Sequence, residues 1–239
     1  GNLDNSVKKI KEINPLNDYT ELKRIINEFE ELSLIDFGCG GGWLANSLSY
    51  QLKNKIDVTG VDFNPEVIKY ANKIKEKLSL NSNFHTSDLF TFDLKKKYDV
   101  VVSLGVLHHT NNCHEAIKHL LKFSKNRSYI FLGLYHKYGR EPFLNYFKEM
   151  KNQNENYKFK AYKELHKNIK DEKKLLSWFR DQVLHPHETQ HTLKEVSKIL
   201  IEKNFKIIST SINKFKKFKD LNDFFELEKE YYKISTNKI

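Results

Sequence analysis

The residues best suited to chemistry begin with an acid and a glycine-rich turn. Asp36 stands two residues before Gly38, the first residue of a run, Gly38–Gly42, in which Cys39 is the only residue other than glycine. Glycine lets a ligand approach the backbone closely. A turn of this kind between a buried strand and a helix is typical of nucleotide sites at the carboxyl edge of a parallel sheet. The pattern therefore indicates a ligand-binding loop.

Two kinds of ligand compete for that loop, a dinucleotide and a nucleoside of another kind. Counted from Gly38, the dinucleotide pattern G-x-G-x-x-G fails because Trp43 stands at its third glycine. Counted from Gly40, the pattern survives only in the looser form that ends at Ala45. Asp36 discriminates between the two ligands, since an anion in this position would repel a pyrophosphate. The same anion suits a ligand that carries a cationic amino group.

Two further aspartates stand where later strands are expected to end. Asp62 closes the second predicted strand, where a carboxylate can accept both hydroxyls of a ribose, and a surface turn is the alternative interpretation. Phe63, the next residue, packs either on a ligand ring or on the following helix. Asp88 follows a short third strand, and capping a helix is a common alternative function for such an aspartate.

Alternating strands and helices must position these residues. Short apolar runs predict strands at 32–37, 56–62, 83–88, 98–104 and 128–134, and helical spacing predicts helices at 43–52, 66–80 and 113–124. Residues 3–30 predict one or two amphipathic helices, broken near Pro15. This alternation is typical of a doubly wound α/β sheet.

The pattern changes after Tyr135. Residues 137–190 show patchy helical spacing, and Thr192 with Glu195 three residues later predicts a capping box that begins a helix. A late strand is expected at 205–212, and 215–239 is ambiguous between a helix and a final edge strand. The sequence thus predicts a single domain with N-terminal helices (1–31), a ligand-binding core (32–136), a helical insertion (137–190) and a C-terminal helix with strands (191–239).

Four motifs together resemble those of the class I S-adenosylmethionine-dependent methyltransferases. Residues 34–42, 60–62, 87–89 and 98–110 occur in that family's order and spacing, and the resemblance covers roughly residues 32–134. The ending Gly-Val-Leu-His-His of the last motif is most similar to the branch that methylates small molecules and lipids. The resemblance implies a doubly wound, mostly parallel seven-stranded sheet with a helical insertion after the fifth strand.

The resemblance also implies a cofactor, S-adenosylmethionine, with S-adenosylhomocysteine as its product. Asp36 and the loop backbone would hold the methionine end, and Asp88 would receive the adenine amino group. Asp99 matches a family position as well, but it begins the fourth strand, away from the cofactor edge, and is interpreted as structural. The implied cofactor-binding residues are Asp36, Gly38, Cys39, Gly40, Gly42, Asp62, Phe63, Asp88, Leu89, Ser103 and Leu104.

Methyl transfer needs positioning and, when the acceptor carries a proton, a base. His108 and His109 follow the fourth strand directly, and Tyr135 follows the fifth. Histidine titrates near neutrality, which suits a base, although such a pair also packs the floor of the site in the family. The candidate catalytic residues are His108, His109, Tyr135 and His187.

His187 belongs to a cluster, His185–His191, with three histidines and one glutamate in seven residues. Residues 187–191 read H-E-T-Q-H, but zinc binding by this spacing needs both histidines on one helix face, which they would share only if the chain were already helical from Thr189 onward. No metal site is therefore predicted, and the cluster is interpreted as a polar lid wall or as a solvated loop at a helix entry. Upstream of it, Asp181 could supply a polar substrate contact. Trp178 and Phe179 are read in preference as a helix face packed on the core.

The composition of the chain limits the kinds of partner that it is expected to bind. The chain has 239 residues and a formal charge of +10, but only four arginines, the residue that phosphate and base-edge recognition favours. The scarcity of arginine argues against an RNA acceptor. The resemblance and the insertion after it imply a small-molecule acceptor, with an RNA base and a catalytically silent scaffold as alternatives. No signal segment and no apolar stretch near the ~20 residues of a membrane helix is present, and two cysteines fit a reducing compartment, so the cytoplasm is the expected location.

Overall fold

A parallel sheet organises the molecule. The computed structural model describes residues 2–236, without the side chains of 231, 232 and 234–236. Its strands are β1 (Leu32–Phe37), β2 (Ile56–Asp62), β3 (Ser82–Thr86), β4 (Tyr98–Leu104) and β5 (Ser124–Gly133), in the order β3-β2-β1-β4-β5. All four pairings are parallel.

Helices cover both faces of this sheet. They are α1 (Leu3–Glu12), α2 (Thr20–Asn27), α3 (Trp43–Leu52), α4 (Pro65–Leu78), α5 (Cys113–Leu121), α6 (Lys137–Glu149), α7 (Glu155–Leu165), α8 (Glu172–Gln182), α9 (Leu193–Glu202) and α10 (Asn222–Thr236). No helix within the described residues is both long and apolar enough to span a bilayer.

The central strand β1 is buried along its whole length because apolar side chains leave it on both sides. Phe37 joins a core with side chains of α5 and α9. Leu34 joins a second core with side chains of α2 and α3 on the opposite face. The predicted doubly wound architecture is thereby confirmed, and it brings the ends of β1, β2 and β4 to one edge.

The segment from α6 to α8, called the three-helix segment, has a small core of its own. Phe147, Tyr162, Leu175 and Phe179 are buried together there. The prediction for the pair at 178 and 179 is half wrong, since Trp178 lies exposed, with the Lys174 ammonium 4.7 Å from the centre of its ring, a cation–π contact. Adjacent helical residues point about 100° apart, so only Phe179 can reach the interior.

The prediction of seven strands is not met within residues 2–236. Residues 205–210 pair with no strand and lead into a short 3-10 turn, Ser211–Asn213. Phe205 packs against the core but Ile208 is exposed, so the run lacks the two-sided burial of a sheet strand. The ambiguous final stretch forms α10 instead, and its residues 237–239 lie outside the described part of the chain.

A buried carboxylate fastens α10 to the rest of the fold. Glu228 of α10 accepts a hydrogen bond from Nε2 of His136, 2.8 Å away, and another from the backbone N–H of Leu193. His136 is itself the N-cap of α6, where its Nδ1 accepts the N–H of Gly139. One carboxylate therefore serves the beginnings of both α6 and α9, where the helix dipole favours negative charge.

Candidate functional site

The glycine loop leaves the carboxyl end of β1 in left-handed conformations. Gly38, Gly40 and Gly42 have φ of +75°, +52° and +73°. A Cβ on Gly38 would lie 2.4 Å from a methyl of Val106, so the loops after β1 and β4 touch at this glycine. A Cβ on Gly40 would meet nothing within 4 Å, so this part of the loop borders open space. The loop thus has one packed side and one side that a ligand can approach.

Asp36 lies at the end of β1 beneath this loop and is only 5% exposed. Its carboxylate has no hydrogen-bond donor in the part of the chain that the structure describes. Burial, reinforced by the nearby charge of Asp62, raises the pKa of Asp36 to about 7. Such a site favours the arrival of a cation. Tyr19 was missed by the sequence reasoning, because helix packing rather than a motif brings it near Asp36. Burial, followed by the charges of Asp18 and Asp36, raises the pKa of its phenol.

Asp62 at the end of β2 holds the glycine loop in place. Its Oδ2 accepts the N–H of Gly40 at 2.9 Å, and its Oδ1 accepts the N–H of Asn64 at 3.0 Å. Each oxygen retains a second lone pair, so two further hydroxyl donors can be accepted. Phe63 beside it is 77% exposed and is free to cover a planar ring.

Asp88 lies two residues beyond the end of β3, in a loop rather than in the predicted strand. Its Oδ1 accepts the N–H of Phe90 at 2.8 Å, which is a local turn bond, and no helix begins there for Asp88 to cap. Leu89 packs against the core, whereas Phe90 is partly exposed near the loop. A contact of Asp88 with adenine stays a prediction.

Three further candidates are placed in the interior of this edge. Ser103 is fully buried and its hydroxyl donates to the Phe37 carbonyl at 3.0 Å, so that hydroxyl joins β4 to β1. Leu104 is partly buried against the core beside β1. Burial, with the charges of Asp36 and Asp62, raises the pKa of the Cys39 thiol, which therefore stays protonated.

Asp99 stands at the opposite edge of the sheet, as the sequence indicated. Its Oδ2 accepts both the N–H and the hydroxyl of Ser33 at 2.8 Å, and it forms an ion pair with Lys125. Its function is structural.

The histidines that follow β4 lie side by side with Tyr135. His108 is 1% exposed, stacks on the Tyr135 ring at 3.9 Å, and has no partner for either ring nitrogen among the described residues. Burial, followed by the influence of His109, lowers the pKa of His108 to about 3. This imidazole stays neutral and is a very weak base, which favours the packing interpretation for His108.

His109 has a more polar setting. Its Nδ1 donates to the His187 carbonyl at 2.9 Å, and its Nε2 lies 3.6 Å from Oδ1 of Asp181. The other oxygen of Asp181 accepts the Tyr135 hydroxyl at 3.2 Å. Burial and the Asp181 charge raise the pKa of Tyr135 to about 12, so its phenol remains protonated and serves as a donor.

The His185–His191 cluster crosses the ends of β4 and β5. The N–H and hydroxyl of Thr189 donate to the His108 carbonyl at 2.8 and 3.1 Å, and the N–H of His191 donates to the Tyr135 carbonyl. The ring Nε2 of His187 donates to the Thr110 carbonyl at 3.0 Å, and the His187 carbonyl accepts Nδ1 of His109. No trio of His, Cys, Asp or Glu with metal-binding geometry occurs in the described part of the chain.

Arg140 was also missed by the sequence reasoning. It lies in the first turn of α6, is buried, and pairs with Glu188 through two hydrogen bonds of 2.9 and 2.6 Å. Its only signal in the sequence is rarity, as one of four arginines in a lysine-rich chain. Two groups thus meet at one edge: the glycine-loop half (Asp36, Gly38–Gly42, Asp62) and the histidine half (His108, His109, Tyr135, Asp181 and 185–191).

Comparison with known proteins gives relatives that share parts of this chain. It is 32% identical over 105 residues to a "Ubiquinone biosynthesis O-methyltransferase" of Rickettsia conorii, covering 44% of this chain and 35% of that protein. It is 28% identical over 166 residues to a "Malonyl-[acyl-carrier protein] O-methyltransferase" of Bacillus cereus, covering 69% of this chain and 56% of the relative. The chain therefore spans between a third and just over half of the length of these two relatives.

Solved structures with the same fold cover more of the chain. The plantazolicin methyltransferase BpumL in complex with SAH has a TM-score of 0.56 at 22% identity, covering 97% of this chain and 82% of that one. The magnesium protoporphyrin IX methyltransferase of Synechocystis PCC 6803 has a TM-score of 0.54 at 22% identity, covering 80% and 72%. The model of one family, described as a methyltransferase domain, matches residues 28–183, from the strand that carries Asp36 to the end of α8. With both its fold and most of its length accounted for in this way, the chain belongs to the methyltransferase-domain family.

Proposed function

We propose that this protein is an S-adenosylmethionine-dependent methyltransferase that acts on a small molecule. The observation that carries the proposal is Asp36, a buried carboxylate without a hydrogen-bond donor among the described residues, under a glycine loop that is open on one side. A buried acid of this kind fits a ligand with a cationic amino group. The family to which the chain belongs and the names of its relatives agree with that chemistry.

The residues of the glycine-loop half fit the cofactor group by group. Asp36 would pair with the amino group of the methionine end, and the spare lone pairs of Asp62 would accept the two ribose hydroxyls. The exposed ring of Phe63 and the side chain of Leu89 would border the adenine, and Asp88 would accept its amino group. S-Adenosylmethionine supplies an electrophilic methyl group on a sulfonium sulfur when it is bound.

The histidine half supplies groups for the acceptor. His109 is the base that we assign, because its Nδ1 is occupied as a donor to the His187 carbonyl and its Nε2 therefore carries the free lone pair. The Asp181 carboxylate lies 3.6 Å from this Nε2. Tyr135 holds Asp181 from its other oxygen. His108 packs beneath them as a neutral ring.

We further propose that the three-helix segment is the predicted insertion and covers the acceptor. It supplies Asp181 from α8, and the chain leaving α8 crosses the ends of β4 and β5. The chain would then consist of N-terminal helices (1–31), a cofactor-binding core (32–136), the insertion that covers the acceptor (137–190) and a C-terminal part (191–239). The Gly-Val-Leu-His-His ending would then mark the point where the sheet meets the acceptor.

Calorimetric titration with S-adenosylmethionine and S-adenosylhomocysteine tests the cofactor assignment. Both should bind with a Kd in the range of about 1–100 μM, near the lower end of common KM values. Asp62→Ala should weaken binding at least about tenfold, the ratio that corresponds to losing a charge-assisted hydrogen bond. Glu172→Gln, on an exposed face of α8, is the matched control and should change nothing. Absence of heat with either ligand and folded protein contradicts the proposal.

Transfer of labelled methyl groups tests the acceptor class. The protein, with methyl-labelled S-adenosylmethionine, is incubated separately with a low-molecular-weight cell extract and with total RNA. Label is expected in the small-molecule fraction. Label found in RNA alone would replace the small-molecule assignment by the RNA-base alternative, and label in neither fraction despite cofactor binding would favour a silent scaffold.

A further inference from the structure

A buried ion pair lies behind the histidine half. The side chains of Arg140 and Glu188 are 9% and 10% exposed. The guanidinium donates from Nε to Oε1 at 2.9 Å and from Nη2 to Oε2 at 2.6 Å, and Nη2 also reaches the Gln182 carbonyl at 2.5 Å. Apolar side chains of similar volume usually stabilise a core as well as such a pair does. The Arg140–Glu188 ion pair is therefore better explained by the groups that it holds in place than by a gain in stability.

The guanidinium is fixed on every side. It lies between the rings of Tyr135 and Phe143, at 4.3 and 4.4 Å from their centres. The planar group has all of its faces and most of its donors engaged. Arg140 is thus a rigid anchor at the start of α6, and it holds the Glu188 carboxylate in a single orientation. Burial alone would raise the pKa of Glu188, but the bonds and charge of Arg140 outweigh it and keep that pKa below its ordinary value.

Glu188 stands between the two residues that hold the histidines. On one side, the carbonyl of His187 accepts Nδ1 of His109. On the other side, Thr189 donates twice to the carbonyl of His108. Fixing Glu188 therefore fixes both contacts of the segment with the turn after β4.

The contact with His109 decides where its proton lies. A carbonyl oxygen can only accept, so Nδ1 must carry hydrogen when this bond is formed. In the neutral ring, Nε2 is then the unprotonated nitrogen, and it faces Asp181. The same Arg140 also supports Tyr135, which bonds to Asp181. Both sides of the His109 ring thus depend on one guanidinium.

We propose that Arg140 and Glu188 are positioning residues that, through the His187 carbonyl, hold His109 in the tautomer with hydrogen on Nδ1. The use of the free Nε2 as a base rests on the proposed function, whereas the tautomer is a property of the protein alone. The charged and titratable groups that face His109 are His108 in its own turn, Tyr135 after β5, Asp181 of α8 and His185 of the crossing segment.

The pair also connects two parts of the chain that differ in their relation to the family. Arg140 lies inside the region that matches the family model, which ends at residue 183, and Glu188 lies beyond it. The Arg140–Glu188 ion pair therefore joins the region that matches the family model to a segment outside it.

Long-range proton–nitrogen NMR of the histidine rings tests the proposal directly, since nitrogen shifts distinguish the two tautomers. The spectrum is taken at pH 8 on protein labelled at histidine nitrogen, and His109→Gln identifies the signals of His109. In the wild type, His109 should carry its hydrogen on Nδ1. In Arg140→Met/Glu188→Leu, which removes both charges and leaves neither unpaired, the ratio of the tautomers should shift towards Nε2–H by about fivefold or more, the ratio that one lost hydrogen bond represents.

Two further variants make the result decisive. Arg140→Lys keeps the charge but lacks the two-pronged geometry, so it should shift the ratio in the same direction by a smaller factor. Glu172→Gln, which breaks the exposed pair Lys163–Glu172, is the matched control and should leave His109 unchanged. If the double variant fails to fold, Arg140→Lys carries the test.

An unchanged tautomer ratio in a folded Arg140 variant overturns the proposal, as does a wild-type His109 with hydrogen on Nε2. Neither result depends on a methyl acceptor or on cofactor binding. Failure of the titrations with S-adenosylmethionine would refute the proposed function and leave this measurement valid.

Discussion

The glycine-loop half and the histidine half of the site lie at one edge of the sheet but are joined by contacts of different range. Gly40 and Asp62, which hold the loop, are separated by 22 residues. In the histidine half, Tyr135 and Asp181 are separated by 46 residues, and His109 and His187 by 78. The first half follows from adjacent strand ends of a parallel sheet, whereas the second requires a distant segment to fold back.

The two halves also differ in how they treat a buried ionisable group. Asp36 and His108 are each pushed towards the neutral form by burial, with pKa values of about 7 and about 3. The environment of Asp36 suits a cationic ligand, which would restore its charge. His108 is stacked against rings and has no hydrogen-bond partner for its ring nitrogens in the described residues, so it serves as a neutral surface. Burial thus prepares Asp36 for a cationic ligand and keeps His108 neutral.

The largest effect is expected in the histidine half, from Arg140→Met. It leaves the Glu188 carboxylate buried without its partner, and the free energy of unfolding should fall by about 3–5 kcal/mol. Arg140→Met/Glu188→Leu should recover most of that loss, because no charge remains unpaired. Urea unfolding of both variants measures the difference, and equal losses in the single and double variants would contradict it. Binding of S-adenosylhomocysteine to the folded double variant should match the wild type, because the glycine-loop half is intact.

The second-largest effect is expected in the glycine-loop half, where Gly38 and Gly40 can be compared directly. Gly38→Ala combines a strained left-handed residue with a clash against Val106, and the free energy of unfolding should fall by about 2–4 kcal/mol. Gly40→Ala meets open space, so only the strain of about 1–2 kcal/mol remains. Chemical denaturation of the ligand-free proteins compares them. Equal destabilisation would show that the Val106 contact does not hold the loop.

Asp36→Asn tests the buried acid through pH. The folded pKa of Asp36 lies above its unfolded value, so this residue destabilises the ligand-free protein increasingly as pH rises from about 4 to about 7. The variant should therefore exceed the wild type in free energy of unfolding by about 1–3 kcal/mol at pH 8, within a ceiling of about 4 kcal/mol set by the full shift.

The difference between Asp36→Asn and the wild type should vanish near pH 4, where both side chains are neutral. Measuring that difference across pH cancels the opposite trend of His108, whose lowered pKa costs stability as pH falls from about 6.5 to about 3. The same variant should bind S-adenosylmethionine at least about tenfold more weakly, as expected for a lost charge-assisted contact. Stability that is equal at pH 8 would refute the description of Asp36.

The smallest effect is expected from Tyr135→Phe. The change removes the hydrogen bond to Asp181 but keeps the ring that stacks on His108, so stability should fall by about 0.5–1.5 kcal/mol. Cofactor binding should be unchanged, because Tyr135 lies outside the glycine-loop half. Thermal unfolding and calorimetry measure these two quantities, and weakened cofactor binding would show that the halves are coupled.

The sequence was most informative where a pattern is local. The second strand and the helix Trp43–Leu52 have the predicted bounds, and Thr192 with Glu195 forms the predicted capping box. Each depends on apolar spacing or on a contact between neighbours along the chain. The glycine loop also has its expected place, since left-handed glycines between a strand and a helix are a local feature.

The rest could not be predicted because distant segments decide it. The run at 205–212 has the composition of a strand, but no strand pairs with it within the described chain, and a strand requires a partner. Arg140 and Glu188 are 48 residues apart, and no spacing connects them. Asp181 was recognised only as one polar residue among several, since its two contacts come from the ends of different strands.

The buried Glu228 has a consequence for the order in which the chain folds. Its partner His136 precedes it by 92 residues, so the first turn of α6 gains this acceptor only after about the first half of α10 has left the ribosome. The strands from Leu32 to Gly133 are made earlier and bury one another without it. Synthesis proceeds at about 5–20 residues per second, so the sheet has several seconds to form before Glu228 can bond to His136. The strand ends that carry the glycine-loop half are therefore synthesised well before the residues that join α6, α9 and α10.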